Sequence, residues 1–260
     1  SQIRNRYLKY CFSHSIRCYM SPKISDIILL GTDRIHLFDT PLLMCRNQGL
    51  SMEQRAAKRV LDIIVSGLGI IVSSPIMLII AIAVKAYDGG PVFYLQDRLT
   101  YQGKEFRIRK FRSMCVDSEK NGARLASKHD SRITPVGHVL RNLHLDELPQ
   151  LFNVFMGDMS LVGPRPERDV IMQEYEQEIP EFHYRLKVKA GLTGYAQVYG
   201  KYNTTPYDKL KLDLFYIENY SFLLDIKLLF MTVKIFFQKE VSEGVDDNQK
   251  NALKDSEDKK

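Results

Sequence analysis

Two adjacent carboxylates, Asp146 and Glu147, stand just ahead of a predicted short helix that has Pro149 in its first turn and Gly157 just past its end. If the helix begins at Pro149, the pair lies at or just before its N-terminus, where free backbone N–H groups and the helix dipole favour anions. Two like charges side by side repel each other, and Mg²⁺ relieves such repulsion by binding one or two carboxylates together with substrate phosphates. Alone, an Asp-Glu pair is more often a solvated helix start, so its meaning depends on its surroundings.

A stiff basic turn follows in the segment "GPRP", which places Arg165 between two prolines. Each proline fixes its own φ and restricts the residue before it, so the guanidinium has little conformational entropy left to lose. An arginine held in this way suits bidentate binding of a phosphate. Other cations that could join it, each equally compatible with a solvent-facing role, are Lys110, Arg112, Arg141 and Arg168.

The composition describes an ordinary folded chain of 260 residues, 45% hydrophobic and 26% charged. A formal charge of +6 favours an anionic partner, which could be nucleic acid, an anionic bilayer or a phosphorylated substrate. The four cysteines form no CxxC pair and the six histidines no HExxH motif, which argues against a zinc site and a disulfide framework. We therefore expect the thiols to be reduced and the protein to face the cytoplasm. The first residues lack the apolar core of a signal peptide.

A charge-free run of 22 residues occupies positions 63–84 and would make a helix of about 33 Å, enough to cross a bilayer. Near its middle, Ser74 and Pro75 predict a bend, because proline removes a backbone donor and clashes with the preceding turn. Each half is then about 20 Å or less, too short to cross alone. Basic residues flank both ends, which fits both ends lying on one face of the membrane. We therefore predict a re-entrant helix-break-helix over residues 58–86.

Two alternatives stay open for this run, a kinked transmembrane helix and a buried helix of a soluble core. A second candidate for the membrane interface is the apolar segment 221–240, which four charged residues interrupt. It is too polar to span, but it suits an amphipathic helix lying in the interface, with an ordinary core helix as the equal alternative.

The remaining patterns predict an α+β domain over residues 87–240. A hairpin is expected from Val92–Gln96 and Phe106–Phe111 around Gly103, and a helix with Thr205 as its cap and Pro206 at its first position. Its apolar face is predicted at Leu210, Leu214 and Ile217. Residues 1–50 are interpreted as the remnant of a preceding α/β region, and the charged residues 241–260 as a flexible tail.

Several motifs in order resemble one family: "KRVLD" with the Ser-Pro break, "GGPVFYLQDRL", "KFRSM", "RITPVGHVLR", "LDELPQLFNVFMGDMSLVGPRP" and "KAGLTGYAQVYGKYNTT". Over about residues 58–240 the chain is similar to the monotopic polyprenol-phosphate phosphoglycosyl transferases, the bacterial sugar transferase family. The opening residues resemble the larger members, which carry further domains ahead of the catalytic part.

The resemblance implies transfer of a phosphosugar from a UDP-sugar to undecaprenyl phosphate with release of UMP, an early step of surface polysaccharide or glycoconjugate synthesis. It assigns Asp146 as the nucleophile that forms a phosphosugar-aspartyl intermediate, and Glu147 as a partner in holding Mg²⁺. It maps phosphate or nucleotide contacts to Arg141 and Arg165, and less directly to Lys110, Arg112 and Arg168. It also implies a place at the bacterial inner membrane with the catalytic domain on the cytoplasmic face, and no nucleic-acid partner.

Two other functions remain as alternatives: a membrane glycosyltransferase that uses the acidic pair only to hold metal and releases UDP, and a non-enzymatic adaptor whose basic face binds anionic lipid. No residue pattern names the sugar, and a homo-oligomer is a candidate assembly.

Overall fold

In the computed structural model, the described residues are 2–37, 40–44, 49–116, 130–201 and 204–236. Helices and strands are mixed, which confirms the α+β prediction at this level. The helices are α1 (Gln2–Ser13), α2 (Ile24–Leu30), α3 (Met52–Asp88), α4 (Pro135–Asn142), α5 (Gln150–Met156), α6 (Asp169–Glu178), α7 (Tyr195–Tyr199), α8 (Pro206–Glu218) and α9 (Phe222–Phe236). The strands are β1 (Asp33–Leu37), β2 (Thr40–Met44), β3 (Phe93–Leu99), β4 (Glu105–Phe111), β5 (Ser160–Val162) and β6 (Gly191–Thr193).

The charge-free run lies within α3, which continues as one helix through Pro75. A proline at this position removes the donor for the carbonyl of Ile71, four residues earlier. The hydroxyl of Ser74 donates to that carbonyl at 2.8 Å, so the interrupted ladder is repaired locally. The predicted break into two helices at Ser74 and Pro75 is therefore wrong, because one helix continues through both residues and lacks only one backbone hydrogen bond. The re-entrant course of α3 stays a prediction.

One face of α3 packs on the rest of the protein over almost its whole length. Its buried residues recur at helical spacing, and the opposite face is apolar and exposed. By length and composition α3 could cross a membrane. Only 17% of its most apolar window is buried, so most of that apolar surface is exposed. The buried positions are Lys58, Asp62, Ser66, Met77, Ile80 and Val84.

Two glycines let α5 approach α3. A Cβ on Gly67 would stand 3.4 Å from the Phe155 ring, and a Cβ on Gly69 would stand 3.2 Å from a methyl of Leu151. Arg59 of α3 donates to the carbonyls of Val154 and Phe155 at 2.8 and 2.7 Å, at the end of the same helix. The short helix that follows the acidic pair is therefore docked directly on α3.

The first turns of α3 are also tied to α9 and β5. The ammonium of Lys58 forms a buried ion pair with Asp225 at 2.6 Å, and the hydroxyl of Tyr216 donates to the same carboxylate at 2.8 Å. Asp62 accepts from the hydroxyl of Ser160 at 3.0 Å and from the backbone N–H of Leu161 at 2.8 Å. Sequence alone places Asp62 only within reach of its helix neighbours, and the structure instead directs it to β5.

The predicted hairpin is confirmed and is longer than expected, since β3 and β4 pair antiparallel from Phe93 with Phe111 to Leu99 with Glu105. Helix α8 is confirmed with Pro206 at its first position, Thr205 accepting from the N–H of Asp208, and the predicted apolar face buried. Helix α9 packs one face on the core, where Asp225 and Leu228 are buried, while Leu223 and Phe230 are about three-quarters exposed. Its predicted place in a membrane interface stays a prediction.

The opening region consists of α1, α2 and a hairpin of β1 with β2. Ile27 of α2 is buried, and α2 packs on α8, so this region contacts the core of the following domain. Its origin as the remnant of a larger α/β region stays a prediction, and the predicted tail lies outside the described residues.

We expect the substitution Asp62→Ala to destabilise the protein, because it leaves a buried N–H and a buried hydroxyl without their acceptor. The free energy of unfolding should fall by roughly 1–3 kcal/mol. Thermal unfolding followed by circular dichroism suits this chain, which has no tryptophan. Asp62→Asn keeps one carbonyl acceptor and should lose less; equal stability of the alanine variant and the wild type would contradict the role of this carboxylate.

Candidate active site

The acidic pair occupies a single turn of 3₁₀-helix, Leu145–Glu147, between α4 and α5. This confirms its expected place just ahead of the short helix, which begins at Gln150 with Pro149 as its N-cap and ends at Gly157. His144 precedes the turn with φ of +52°, a left-handed conformation that costs a side-chain-bearing residue about 1 kcal/mol. The chain thus accepts local strain where it enters the site.

Glu147 is held by two of the predicted cations. Its Oε1 accepts hydrogen bonds from the ammonium of Lys110 and from the guanidinium of Arg165, both at 2.7 Å. Lys110 comes from β4 and Arg165 from the turn after β5, so one carboxylate oxygen joins two elements that are distant in the sequence. With one negative and two positive charges, the trio keeps a net positive charge.

Asp146 has different surroundings, although it is the adjacent residue. It is 9% exposed, and within the described part of the chain its carboxylate forms no hydrogen bond or ion pair. Burial raises the pKa of Asp146 and the charge of Glu147 adds to the increase, while Lys110 and Arg141 oppose it. Burial alone would also raise the pKa of Glu147, but the charges of Arg165 and Lys110 outweigh it and hold that pKa well below its ordinary value.

Two neighbouring carboxylates are therefore pushed in opposite directions, which is typical of groups with separate roles in a site. Glu147 stays ionised and bound, whereas Asp146 is more basic than an ordinary aspartate and free of partners. The arrangement can provide an oxygen nucleophile beside a cationic place for phosphate.

The turn that carries Arg165 is held by more than its two prolines. The N–H of Gly163 donates to the carbonyl of Thr193 at 2.8 Å, and Pro164 accepts from the N–H of Gly191 at 2.9 Å. Arg185 donates to the carbonyl of Arg165 at 3.0 Å. In the same way, Arg98 donates to the carbonyl of Pro166 at 3.0 Å. Hydrogen bonds thus confirm and extend the rigidity predicted from "GPRP".

Close passage of β5 and β6 explains two of the glycines. A Cβ added to Gly191 would stand 2.1 Å from the backbone nitrogen of Gly163, which no side chain tolerates. These two glycines let the parallel strands come together directly before the arginine turn.

The remaining predicted cations are distributed unevenly. Arg141, on α4, bonds to the hydroxyl of Ser113 at 3.1 Å and is close enough to Asp146 for its charge to lower the pKa of that carboxyl. Arg112 is buried in a bidentate ion pair with Asp88 at the end of α3. Arg168 is the N-cap residue of α6, where its charge acts on Arg98. The structure therefore joins Lys110, Arg141 and Arg165 to the acidic pair. Arg112 is instead committed to Asp88, and Arg168 lies at the start of α6 with its charge near Arg98.

Sequence reasoning missed a set of residues that support the arginine turn. Buried Arg185 pairs with Asp213 at 2.8 Å and approaches Glu167 to 3.5 Å, and the charges of Arg185, Lys209 and Arg98 together overcome the burial of Glu167 and lower its pKa. These residues lie on four separate segments, and no spacing signal joins them. A charged residue at an otherwise apolar helical position, Asp213 between Leu210 and Leu214, is the one local sign.

The donor set at the acidic pair fits Mg²⁺ only in part. Among the described residues no group of three or more His, Cys, Asp or Glu side chains is arranged to hold a metal. However, Asp146 has a free carboxylate and the Oε2 of Glu147 takes part in neither of its two hydrogen bonds. Two hard oxygen donors match a Mg²⁺ that receives its other ligands from substrate phosphates and water.

Comparison with known proteins identifies the family of the chain. The model of the bacterial sugar transferase family matches residues 53–239. A UDP-N-acetylgalactosamine-undecaprenyl-phosphate N-acetylgalactosaminephosphotransferase of Aeromonas hydrophila is 44% identical over 88% of this chain and 54% of its own length. A UDP-glucose:undecaprenyl-phosphate glucose-1-phosphate transferase of Klebsiella pneumoniae is 43% identical over 78% of the chain and 43% of its own length. A UDP-galactose-lipid carrier transferase of Erwinia amylovora is 34% identical over 92% of the chain and 53% of its own length.

The chain belongs to the bacterial sugar transferase family. Its relatives in that family carry names of sugar phosphotransferases that act on undecaprenyl phosphate, which confirms the family predicted from the motifs. The chain spans about half the length of these curated relatives.

We expect Asp146→Asn to raise the melting temperature at neutral pH in metal-free buffer. The folded-state pKa of Asp146 lies above its unfolded value of about 3.9, so its ionisation opposes folding as the pH rises through the folded pKa. Below about pH 3.9 both states are protonated and the two proteins should differ little. Parallel melting curves across this range check the sign. Glu147→Gln is the matched control and should lower the melting temperature, because the pKa of Glu147 is shifted downward.

Proposed function

We propose that this chain is a phosphoglycosyl transferase that moves a phosphosugar from a UDP-sugar to undecaprenyl phosphate through a covalent intermediate on Asp146. One observation carries the proposal: a buried carboxylate without a partner lies beside a second carboxylate that is bound to Lys110 and Arg165. The names of the relatives supply the substrate class, since each of those described above pairs a UDP-sugar with a lipid carrier or undecaprenyl phosphate.

In the first step, an oxygen of Asp146 attacks the β-phosphorus of the UDP-sugar. A phosphorus–oxygen bond to Asp146 forms, and the bond from this phosphorus to the oxygen bridging to the α-phosphate breaks. UMP leaves with that electron pair. In the second step, a phosphate oxygen of undecaprenyl phosphate attacks the same phosphorus and Asp146 departs as a carboxylate, so the enzyme returns unchanged.

The side chains around Asp146 suit both displacements. Burial makes the carboxylate more basic, which strengthens it as a nucleophile, and neither step requires a proton from the protein. Lys110 and Arg165 are oriented by Glu147 before substrate arrives, so they can face the phosphoryl oxygens with little reorganisation. Arg165 is 46% exposed at its side chain, which leaves part of its guanidinium open to the nucleotide.

A bound Mg²⁺ would neutralise developing charge on the phosphoryl oxygens. Asp146 and the Oε2 of Glu147 are the protein ligands we propose for it, with the diphosphate completing the shell.

We further propose that α3 lies in one leaflet with both ends on the cytoplasmic face of the bacterial inner membrane. Support comes from its contacts: the first turns bind Asp225 and β5, and its last residue, Asp88, pairs with Arg112 next to β4. A straight crossing would separate these two ends across the bilayer. Val139 and Leu143, close to the acidic pair, are 56% and 57% exposed and would place the site beside the lipid substrate.

Asp146→Asn should reduce transfer by at least about a thousandfold, because an amide cannot serve as the nucleophile. A UDP-sugar radiolabelled at its β-phosphate and supplied without lipid acceptor should label the wild type and not the variant. UMP should be the released nucleotide. Release of UDP with no labelled enzyme would refute the proposal and favour a glycosyltransferase that uses the pair only for metal. Arg34→Gln, which removes a positive charge at an exposed position of β1, is the control and should retain labelling.

Removal of divalent cations with EDTA should abolish transfer, and added Mg²⁺ should restore it. Among the described residues, the carboxylate of Asp146 has no cationic partner of its own, and a bound Mg²⁺ would reduce its repulsion with the diphosphate. The UMP-release assay with a panel of UDP-sugars measures this and identifies the sugar in one experiment. Full activity in EDTA would contradict the metal ligands proposed here.

A further inference from the structure

A cavity with a volume of about 260 Å³ lies between the first turns of α3, the turn at Tyr101 and the segment Lys187–Lys189. Ser160, at the start of β5, lines it, whereas Arg165 lies just beyond the end of that strand. The cavity and the acidic pair are therefore served by opposite ends of β5, and the transfer mechanism uses none of the cavity's charged residues.

The charges that line the cavity are strongly unbalanced, with a single acid against five cations. They are Asp62 and, on the cationic side, Arg55, Lys58, Arg59, Lys187 and Lys189. Among the described residues, Lys58 alone of these five cations forms an ion pair with a carboxylate, that of Asp225 at 2.6 Å. Asp62 is occupied by Ser160 and the N–H of Leu161.

Two of the cations are bound by neutral groups that leave their charge uncompensated. Arg59 donates to the carbonyls of Val154 and Phe155, and Lys189 donates to the carbonyl of Gly157 at 2.6 Å. Burial lowers the pKa of Lys189, and the nearby charge of Arg59 lowers it further. Lys189 is thus a partly buried ammonium with a second cation beside it.

Two other cations are available to a ligand. Within the described part of the chain, the guanidinium of Arg55 forms no hydrogen bond or ion pair. The ammonium of Lys187 forms no ion pair there either and lies 5.3 Å from the centre of the Tyr184 ring. An arginine and a lysine that line one cavity, and that form no ion pair within the described part of the chain, are suited to phosphate oxygens.

We propose that this cavity binds the phosphate group of an anion, separately from the transfer site. Its volume is near the lower end of the range for small-ligand sites, about 300–1,000 Å³, which suits a headgroup rather than a complete nucleotide sugar. The source that its position favours is an anionic phospholipid. Arg55 and Asp62 lie on the two turns of α3 directly before the charge-free run begins at Ile63.

The choice of a lipid over free phosphate rests on the membrane placement of α3 proposed above. In that placement the cavity lies at the depth of the headgroups, where an anionic surface attracts lysine and arginine side chains. A specific site adds charge-assisted hydrogen bonds to this general attraction.

The test compares two double variants of the full chain purified in neutral detergent. Arg55→Gln with Lys187→Gln removes the two available cavity cations and no structural hydrogen bond. Arg34→Gln with Lys201→Gln, at exposed positions outside the cavity, removes the same charges and is the matched control. Binding is measured to vesicles of phosphatidylcholine alone, to vesicles of equal parts phosphatidylcholine and phosphatidylglycerol, and to inorganic phosphate in detergent.

We expect the cavity variant to bind the phosphatidylglycerol vesicles about tenfold more weakly than the control variant, with no difference on phosphatidylcholine alone. A tenfold difference for inorganic phosphate, without one for the anionic vesicles, would establish a phosphate site whose source is soluble. Equal binding by the two variants in both arms, or no saturable binding by the wild type, would overturn the proposal.

Turnover is measured in a separate assay, in which both double variants should release UMP like the wild type. Failure of the transferase proposal would appear there, while failure of the cavity proposal would appear only in the binding arms.

Discussion

The carboxylate of Glu147 is the interaction on which the arrangement of the site depends. One oxygen atom receives an ammonium from β4 and a guanidinium from the turn after β5, and neither element is close to the other in the sequence. Buried charges are tolerated when they are paired and hydrogen-bonded, and here burial also strengthens the pairing. The same interaction commits Lys110 and Arg165 to Glu147, and within the described part of the chain the carboxylate of Asp146 has no hydrogen-bond or ion-pair partner.

A series of contacts links this carboxylate to both ends of α3. From Glu147 it passes to Arg165, back along β5 to Asp62 near the start of α3, and from Lys110 it passes two residues along the chain to Arg112 and Asp88 at the other end. The helix that would rest in lipid and the residues that would handle phosphate therefore share one framework.

The basic cavity has a different relation to the same framework. Its structural cations cap the end of α5 and tie α3 to α9, so they are required for the fold whether or not an anion is bound. The uncompensated charge of Arg55 and Lys187 is not needed for those contacts. Placing them beside cations already fixed in position creates an anion site with little additional ordering.

Local patterns in the sequence determined much of this protein. Proline and threonine positions correctly predicted the start of α8, alternation predicted the hairpin, and the order of the motifs identified the family, because these depend on neighbouring residues. The pairing of Arg112 with Asp88 and the direction of Asp62 towards β5 were decided by tertiary contacts. So were the opposite pKa shifts of Asp146 and Glu147, which look equivalent in the sequence. Burial and the partners of a charge are properties of residues brought together from distant segments, and only the folded chain specifies them.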